Sequence, residues 1–233
     1  MRALVLVALL SALTMGGYWA LTSGWAPVPG GPASVAESVR PGAAPGGQAE
    51  AGGAAAPAPV RSLPRVEVDL RAVTYAVDGE TPDAILQSLV TRGPSSDGRR
   101  FFGLTETAVD LRYELREASN GCVIEDAQVL LSLTITLPAW SPPSGAAPET
   151  RRAWARFRRA LAGHEDRHRA IAEDGAEALQ RAIDGLRRPD CEAVTLEARR
   201  RLGRLEGEIG EAHRRYDAET GHGRTEGAVW PSP

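Results

Sequence analysis

Gly163-His164-Glu165-Asp166-Arg167-His168 lies within a helical pattern that runs from about Thr150 to Leu186. Trp154, Phe157, Leu161, His164, His168, Ile171, Ala178, Ala182 and Leu186 recur at steps of three and four, bridged by Gly175. That spacing predicts one helix stripe facing a core. An H-E-x-x-H spacing turns two imidazoles to one place, one turn apart, as a tetrahedral zinc requires, and leaves Glu165 beside the metal's open position. A second reading of the same residues is a pair of core histidines, each satisfied by a carbonyl or a carboxylate. An inward Glu165 fits that reading poorly, because a carboxylate near an apolar seam needs compensation.

The elements that must position this helix follow along the chain. Met1-Arg2 precedes an uncharged apolar run from Ala3 to about Ala20 that extends towards Trp25-Ala26. Residues 1–26 read as a signal peptide or as an uncleaved N-terminal membrane anchor, with no clean small-x-small cleavage site before Pro27 to separate the two. Either form implies export across a bacterial inner membrane, to the periplasm or beyond, with an anchor leaving the chain tethered to that membrane. Residues 27–62 collapse to Ala, Gly and Pro with little to bury, the composition of a disordered tether. The folded body is expected over residues 63–233, a size that suits one domain with one core.

Val66 to Val77 alternates as a half-buried strand, closed by Asp78-Gly79, and Thr81-Pro82 starts a short helix carrying Ile85, Leu86 and Leu89. Val109, Leu111, Tyr113 and Leu115 alternate with charged residues in a second strand. After the Asn120-Gly121 turn a third strand runs from Cys122 to Leu137, with Leu131 to Leu137 in strict period two. A second long helix is expected from about Glu192 to Tyr216, buried through Val194, Leu196, Leu202, Leu205 and Ile209. Strands precede helices, so the fold class is α+β: a small, mostly antiparallel sheet packed against the H-E-x-x-H helix and the C-terminal helix. The Lys+Arg total of 27 is all arginine, and with a net charge of -3 the chain has no electrostatic footprint for nucleic acid.

Two cysteines occur, Cys122 and Cys191. In an exported chain they most simply form a disulfide with each other, which would pin the far end of the long helix to the sheet; a thiolate metal ligand is the alternative.

Tyr75-x-Val77-x-Gly79-x-Thr81, the paired cysteines, Leu137-Pro138-x-Trp140, His164-Glu165-x-x-His168 and the tail Tyr216-Asp217-x-x-Thr220-x-His222-Gly223 occur together. In that combination the chain resembles, from Val66 to Pro231, a bacterial domain-of-unknown-function family described as predicted secreted zinc-dependent proteases. The resemblance implies a zincin-like fold, bound Zn2+ and metallopeptidase activity on a peptide or protein substrate of the cell envelope.

A catalytic zinc needs a third protein ligand. Asp174 would face away from the histidines on a continuing helix, and Glu197, Glu206 and Glu208 are ordinary members of a charged helix. His222 is the expected ligand, set between Gly221 and Gly223 in the family-like tail, with Asp217 as the alternative ligand or as a carboxylate orienting a ligand histidine. His213 reads as a surface residue of the second helix. Zinc would then activate a water for Glu165 as general base, Tyr216 would donate to the oxyanion, and a peptide would add as a strand beside Leu131 to Leu137 if that strand is an edge. The competing expectations are a non-catalytic envelope binding module of the same fold and a zinc amidase acting on cell-wall peptide.

Overall fold

The computed structural model describes residues 3–7 and 66–231. Apart from Ala3–Val7, the expected signal or anchor lies outside the described residues, as does the whole 27–62 tether. In chain order the elements are β1 (Ala3–Val7), β2 (Val66–Val77), α1 (Pro82–Arg92), a small ribbon of β3 (Ser95–Ser96) and β4 (Arg99–Arg100), β5 (Leu104–Ala118), β6 (Gly121–Trp140), α2 (Pro148–Ile183), β7 (Arg187–Arg188), α3 (Cys191–Thr220) and a 3-10 turn, Arg224–Glu226. This is an α+β fold with a mixed sheet. Among the described residues no helix is long and apolar enough to cross a membrane.

The sheet order is β1-β5-β6-β2, with β7 added to β6. β5 and β6 form the antiparallel hairpin that Asn120-Gly121 predicts, and Gly121 closes it at a φ of 123°. β2 runs parallel to β6, from Val66 opposite Val129 to Val77 opposite Trp140. β6 is therefore a central strand, and the expected docking of a peptide beside Leu131 to Leu137 is corrected: both its edges are already paired. Among the described residues β5 has a second partner, β1, only from Leu111 to Leu115, and its stretch from Leu104 to Asp110 pairs with β6 alone. β2 also differs from expectation. As an outer strand it is exposed along most of its length, Val68 and Leu70 included.

α1 begins as its sequence dictates: Thr81 Oγ1 accepts from Ala84 N–H and Pro82 occupies the first turn. α2 and α3 pack on the inner face of the sheet around two cores. One is aliphatic: Leu111, Val129, Leu131 and Leu133 from the sheet meet Ala172, Ala176, Leu179 and Ile183 of α2 and Val194, Leu202, Leu205 and Ile209 of α3. The other is aromatic: Trp140, Trp154, Phe157 and Trp230 surround α1's Ile85 and Leu89. Beyond His168 the buried stripe of α2 steps by fours through Ala172 and Ala176, not through Ile171 and Ala178, because the small alanines let α3 approach there. On α3, Ala198 takes the inward place and Leu196 is exposed, since helical spacing from Val194 returns to the core at the fourth residue. Cys122 and Cys191 are disulfide-bonded, tying the start of β6 to the first residue of α3.

Candidate metal centre

His164, Glu165 and His168 leave only 3, 3 and 7% of their surface exposed, so each polar group must find a partner inside the protein. The partners come from the end of α3 and the turn beyond it. α3 runs back along α2 closely enough that a β-carbon at Gly175 would lie 2.7 Å from Ile209 Cγ1. That approach brings His213, Tyr216 and Asp217 opposite the two histidines. α3 then stops at Gly221 in the left-handed region, and Gly223 at a φ of 78° folds the chain over the His164 ring, where a β-carbon would lie 3.0 Å from the imidazole. The turn delivers Glu226 to the far side of His164.

Asp217 Oδ1 lies 3.1 Å from His164 Nε2 and 3.1 Å from His168 Nε2, and the two Nε2 atoms lie 3.3 Å apart. The other face of each imidazole is engaged. His164 Nδ1–H donates to Glu226 Oε2 at 2.9 Å, and His168 Nδ1 meets His213 Nδ1 at 2.8 Å. A carboxylate only accepts, so Glu226 fixes the proton of a neutral His164 on Nδ1 and turns the Nε2 lone pair towards Asp217. With His168 donating to His213 in the same way, the three inner atoms are held together either by Nε2 protons that Asp217 accepts or, once those protons are given up, by a cation that three lone pairs face. Ligands 2.0 to 2.1 Å from a tetrahedral zinc stand about 3.3 Å from one another, so both the spacing and the chemistry of the donors fit the ion. Among the described residues, His164, His168 and Asp217 form a group able to hold a metal.

Burial shifts the neighbouring groups in ways that suit this arrangement. Burial would raise the carboxyl of Asp217, but its hydrogen bonds with His164 and His168, with the charges of His168 and His222, hold it well below the usual carboxylate range. Burial, and then the nearby His168, push His213 down to about 4, so it is neutral at physiological pH. Burial raises Glu165, opposed by the Thr105 hydroxyl and the two histidines.

Glu165 stands apart from the three donors and faces β5. Thr105 Oγ1–H donates to its Oε2 at 2.8 Å, and a β-carbon at Gly103 would lie 2.6 Å from its Oε1, so a side chain at that position would push the carboxylate aside. The carboxylate opens on a cleft of about 1170 Å3. Every residue from Phe101 to Thr107 lines that cleft, the two faces of the strand alike, so the strand presents its edge to it.

The structure thus brings the imidazoles of His164 and His168 together as their spacing predicts, with Glu165 beside them against β5, and sets Asp217, the alternative ligand or orienting carboxylate, 3.1 Å from both Nε2 atoms. His222 stands outside the donor group: its Nδ1 lies 3.5 Å from Asp217 Oδ1 and its side chain is 55% exposed. Tyr216 stacks on His164 at 4.8 Å, and its hydroxyl donates to Glu226, 2.8 and 2.9 Å from the two carboxylate oxygens. That bond holds the tyrosine behind the histidine rather than over the cleft. His213, read from the sequence as a surface residue, is part-buried against His168. It, Glu226, Thr105 and Gly103 are the site residues that spacing did not disclose. The Gly-x-Gly around His222 was the available signal that the chain turns back on the helix.

An α+β domain whose long helix and returning helix converge on three metal-competent donors beside a buried glutamate defines the class. Within it, the chain belongs to the family of bacterial proteins of unknown function DUF922, whose model matches residues 72–223. Compared with curated proteins and with solved structures, the chain gives no match.

Proposed function

We propose that this domain is an exported zinc-dependent peptidase that cleaves extended segments of peptide or protein in the bacterial cell envelope. The observation that carries the reading is the convergence of His164 Nε2, His168 Nε2 and Asp217 Oδ1 within 3.1 to 3.3 Å, next to a buried carboxylate that opens on a cleft. Bound there, zinc supplies Lewis acidity towards a carbonyl and lowers the pKa of a coordinated water.

The chain's own residues supply the rest. Glu165 receives the proton of the attacking water and returns it to the departing amine, and its burial, which raises its proton affinity, suits a group that must hold a proton between the two steps. Thr105 and the Gly103 backbone keep that carboxylate aimed into the cleft. Among the described residues, β5 from Leu104 to Asp110 pairs with β6 alone, and an edge free there would offer backbone hydrogen bonds to an extended chain, which favours a peptide over a compact cell-wall amide. The Cys122–Cys191 bond supports an oxidising compartment, in keeping with a signal or membrane anchor within residues 1–26.

The deciding experiment is zinc stoichiometry on the wild-type chain and on folded His164→Ala, His168→Ala and Asp217→Ala, followed by hydrolysis of an unfolded protein substrate by wild type and Glu165→Gln. The reading expects one zinc, lost in each ligand variant, and a fall in turnover of at least about a thousandfold in Glu165→Gln with zinc retained. A folded wild type that refuses zinc, or a zinc-loaded Glu165→Gln of undiminished activity, would overturn it.

A further inference from the structure

His222 is left without a role once Asp217 takes the third donor position, yet its placement is tightly specified. It is a non-glycine residue with a φ of 55°, a conformation that costs energy for most side chains and persists where the surroundings impose it. Its backbone N–H donates to Asp217 carbonyl oxygen at 2.9 Å, extending the turn from the very residue that faces the metal position. Its ring meets Phe101 edge-on at a centroid distance of 5.6 Å, so a wall of the cleft fixes the side chain from above. Nδ1 lies 3.5 Å from Asp217 Oδ1, too long for a hydrogen bond, and the ring opens on the cleft.

Resting on the peptidase reading, we propose that His222 is a catalytic residue of this site: it binds the carbonyl oxygen of the scissile bond and stabilises it as it gains charge. Glu165 lies against Gly103 and His222 against Phe101, and the α-carbons of Phe101 and Gly103, two steps apart in the chain, are at most about 7 Å from each other. A peptide carbonyl seated at the metal position therefore has the base on one side and an imidazole N–H on the other. When water oxygen bonds to the carbonyl carbon, the π pair moves onto the carbonyl oxygen and the water proton goes to Glu165. His222 Nδ1–H donates a hydrogen bond to that oxygen and transfers no proton. As the pair returns, the C–N bond breaks and Glu165 delivers the proton to the amine. Tyr216 cannot take this role while its hydroxyl is held by Glu226. Donors directed at a developing oxyanion are worth most when they are fixed before the reaction, and the left-handed turn and Phe101 fix this one.

The test uses the zinc-loaded full chain and two probes with the same peptide side chains. One is a phosphinic analogue whose tetrahedral P–O− copies the charged oxygen; the other is a thiol analogue that ligates through sulfur and carries no such oxygen. His222→Gly removes the side chain at a φ glycine adopts freely, and His222→Asn, which tolerates the same φ, guards against a folding artefact. Both variants are expected to keep one zinc, to bind the phosphinic analogue about a hundredfold more weakly than wild type, and to hold the thiol analogue within about threefold. Loss of zinc would make His222 a ligand and overturn the proposal. So would equal weakening of both probes, which marks a mere wall of the cleft, or no weakening of either. A wild type that takes zinc and binds neither probe ends this proposal while the metal centre stands, whereas one that takes no zinc ends the peptidase reading with it.

Discussion

Along α2, the half before His168 packs on indole and phenyl rings, and the half after it packs on alanines and leucines. The aromatic half contains polar handles as well as area. Trp140 donates to Gly79 carbonyl oxygen at 2.8 Å, Trp230 to Pro82 at 3.0 Å, Tyr75 to Phe102 at 2.8 Å, and Arg158 of α2 to Pro138 at 2.8 Å. Each bond fixes a loop or a strand end, and these include the Phe101–Gly103 segment over the cleft and the C-terminal tail. In the aliphatic half the bonds join elements directly: the Gln180 side chain accepts from Val129 N–H at 3.0 Å and donates to Ala127 carbonyl oxygen at 2.9 Å, and Arg201 of α3 donates to Ala182 carbonyl oxygen of α2. This half holds a distance, that between α2 and α3, through Ala172, Ala176 and the disulfide at the start of α3. The contrast teaches that the site depends on two separable settings: the spacing of two helices, which places Asp217 against the histidines, and the placing of loops, which shapes what reaches them.

The largest effect that would break this division is expected from the disulfide. Cys122 and Cys191 are 69 residues apart, and the chain-entropy estimate for such a loop is about 4 kcal/mol. Cys122→Ala/Cys191→Ala should therefore lower the stability of the metal-free chain by about that amount in denaturant titration. If helix spacing is also held by the alanine contacts, zinc affinity of the folded variant should stay near wild type; a large loss would show that the bond itself sets the site.

Glu226→Ala tests the other setting. It removes the carboxylate that orients His164 and holds the Tyr216 hydroxyl, while leaving the cores untouched. Zinc affinity by chelator competition should fall by about ten- to a hundredfold, the usual cost of losing such a partner. The thermal midpoint of the metal-free protein should barely move, because Glu226 is exposed and sits in a short surface turn. Unchanged zinc affinity would mean that stacking by Tyr216 and packing by Gly223 suffice to hold the imidazole.

The legibility of these features in the sequence follows their range. His164, Glu165 and His168 were readable because one turn of helix fixes their relation, whatever surrounds it. The caps of α1, the β5–β6 hairpin and the α+β class were readable for the same reason: each rests on neighbours in the chain. Asp217, His213 and Glu226 meet the histidines from 45 to 62 residues away, and on the sequence the first two sit among the many charges of a solvated helix. The family-like tail pointed to the right turn of chain, but imidazole's general preference for zinc drew the ligand assignment to His222. A left-handed turn that carries His222 past the donors is a property of the backbone and not of residue type. The parallel pairing of β2 with β6 was hidden likewise, since alternation shows that a strand has two faces and says nothing of its neighbour.

The smallest expected effect falls within the aliphatic half. Gly175 lies there on α2, between Ala172 and Ala176, and a β-carbon at it would come within 2.7 Å of Ile209 Cγ1 and 2.8 Å of its Cδ1. Alanine in a helix interior is worth roughly 0.5 to 1 kcal/mol over glycine, whereas overpacking costs about 1 to 3 kcal/mol, so Gly175→Ala should destabilise the fold by about 1 kcal/mol net. The informative readout is zinc. Ile209 is one turn before His213 and two before Asp217, so relief by movement of α3, as opposed to a change of Ile209 rotamer, would shift the residues that face the histidines. Zinc affinity should weaken by more than the stability loss alone accounts for. A variant that loses stability but keeps full affinity would show Ile209 yielding by a change of rotamer, with helix spacing set further along, nearer the disulfide.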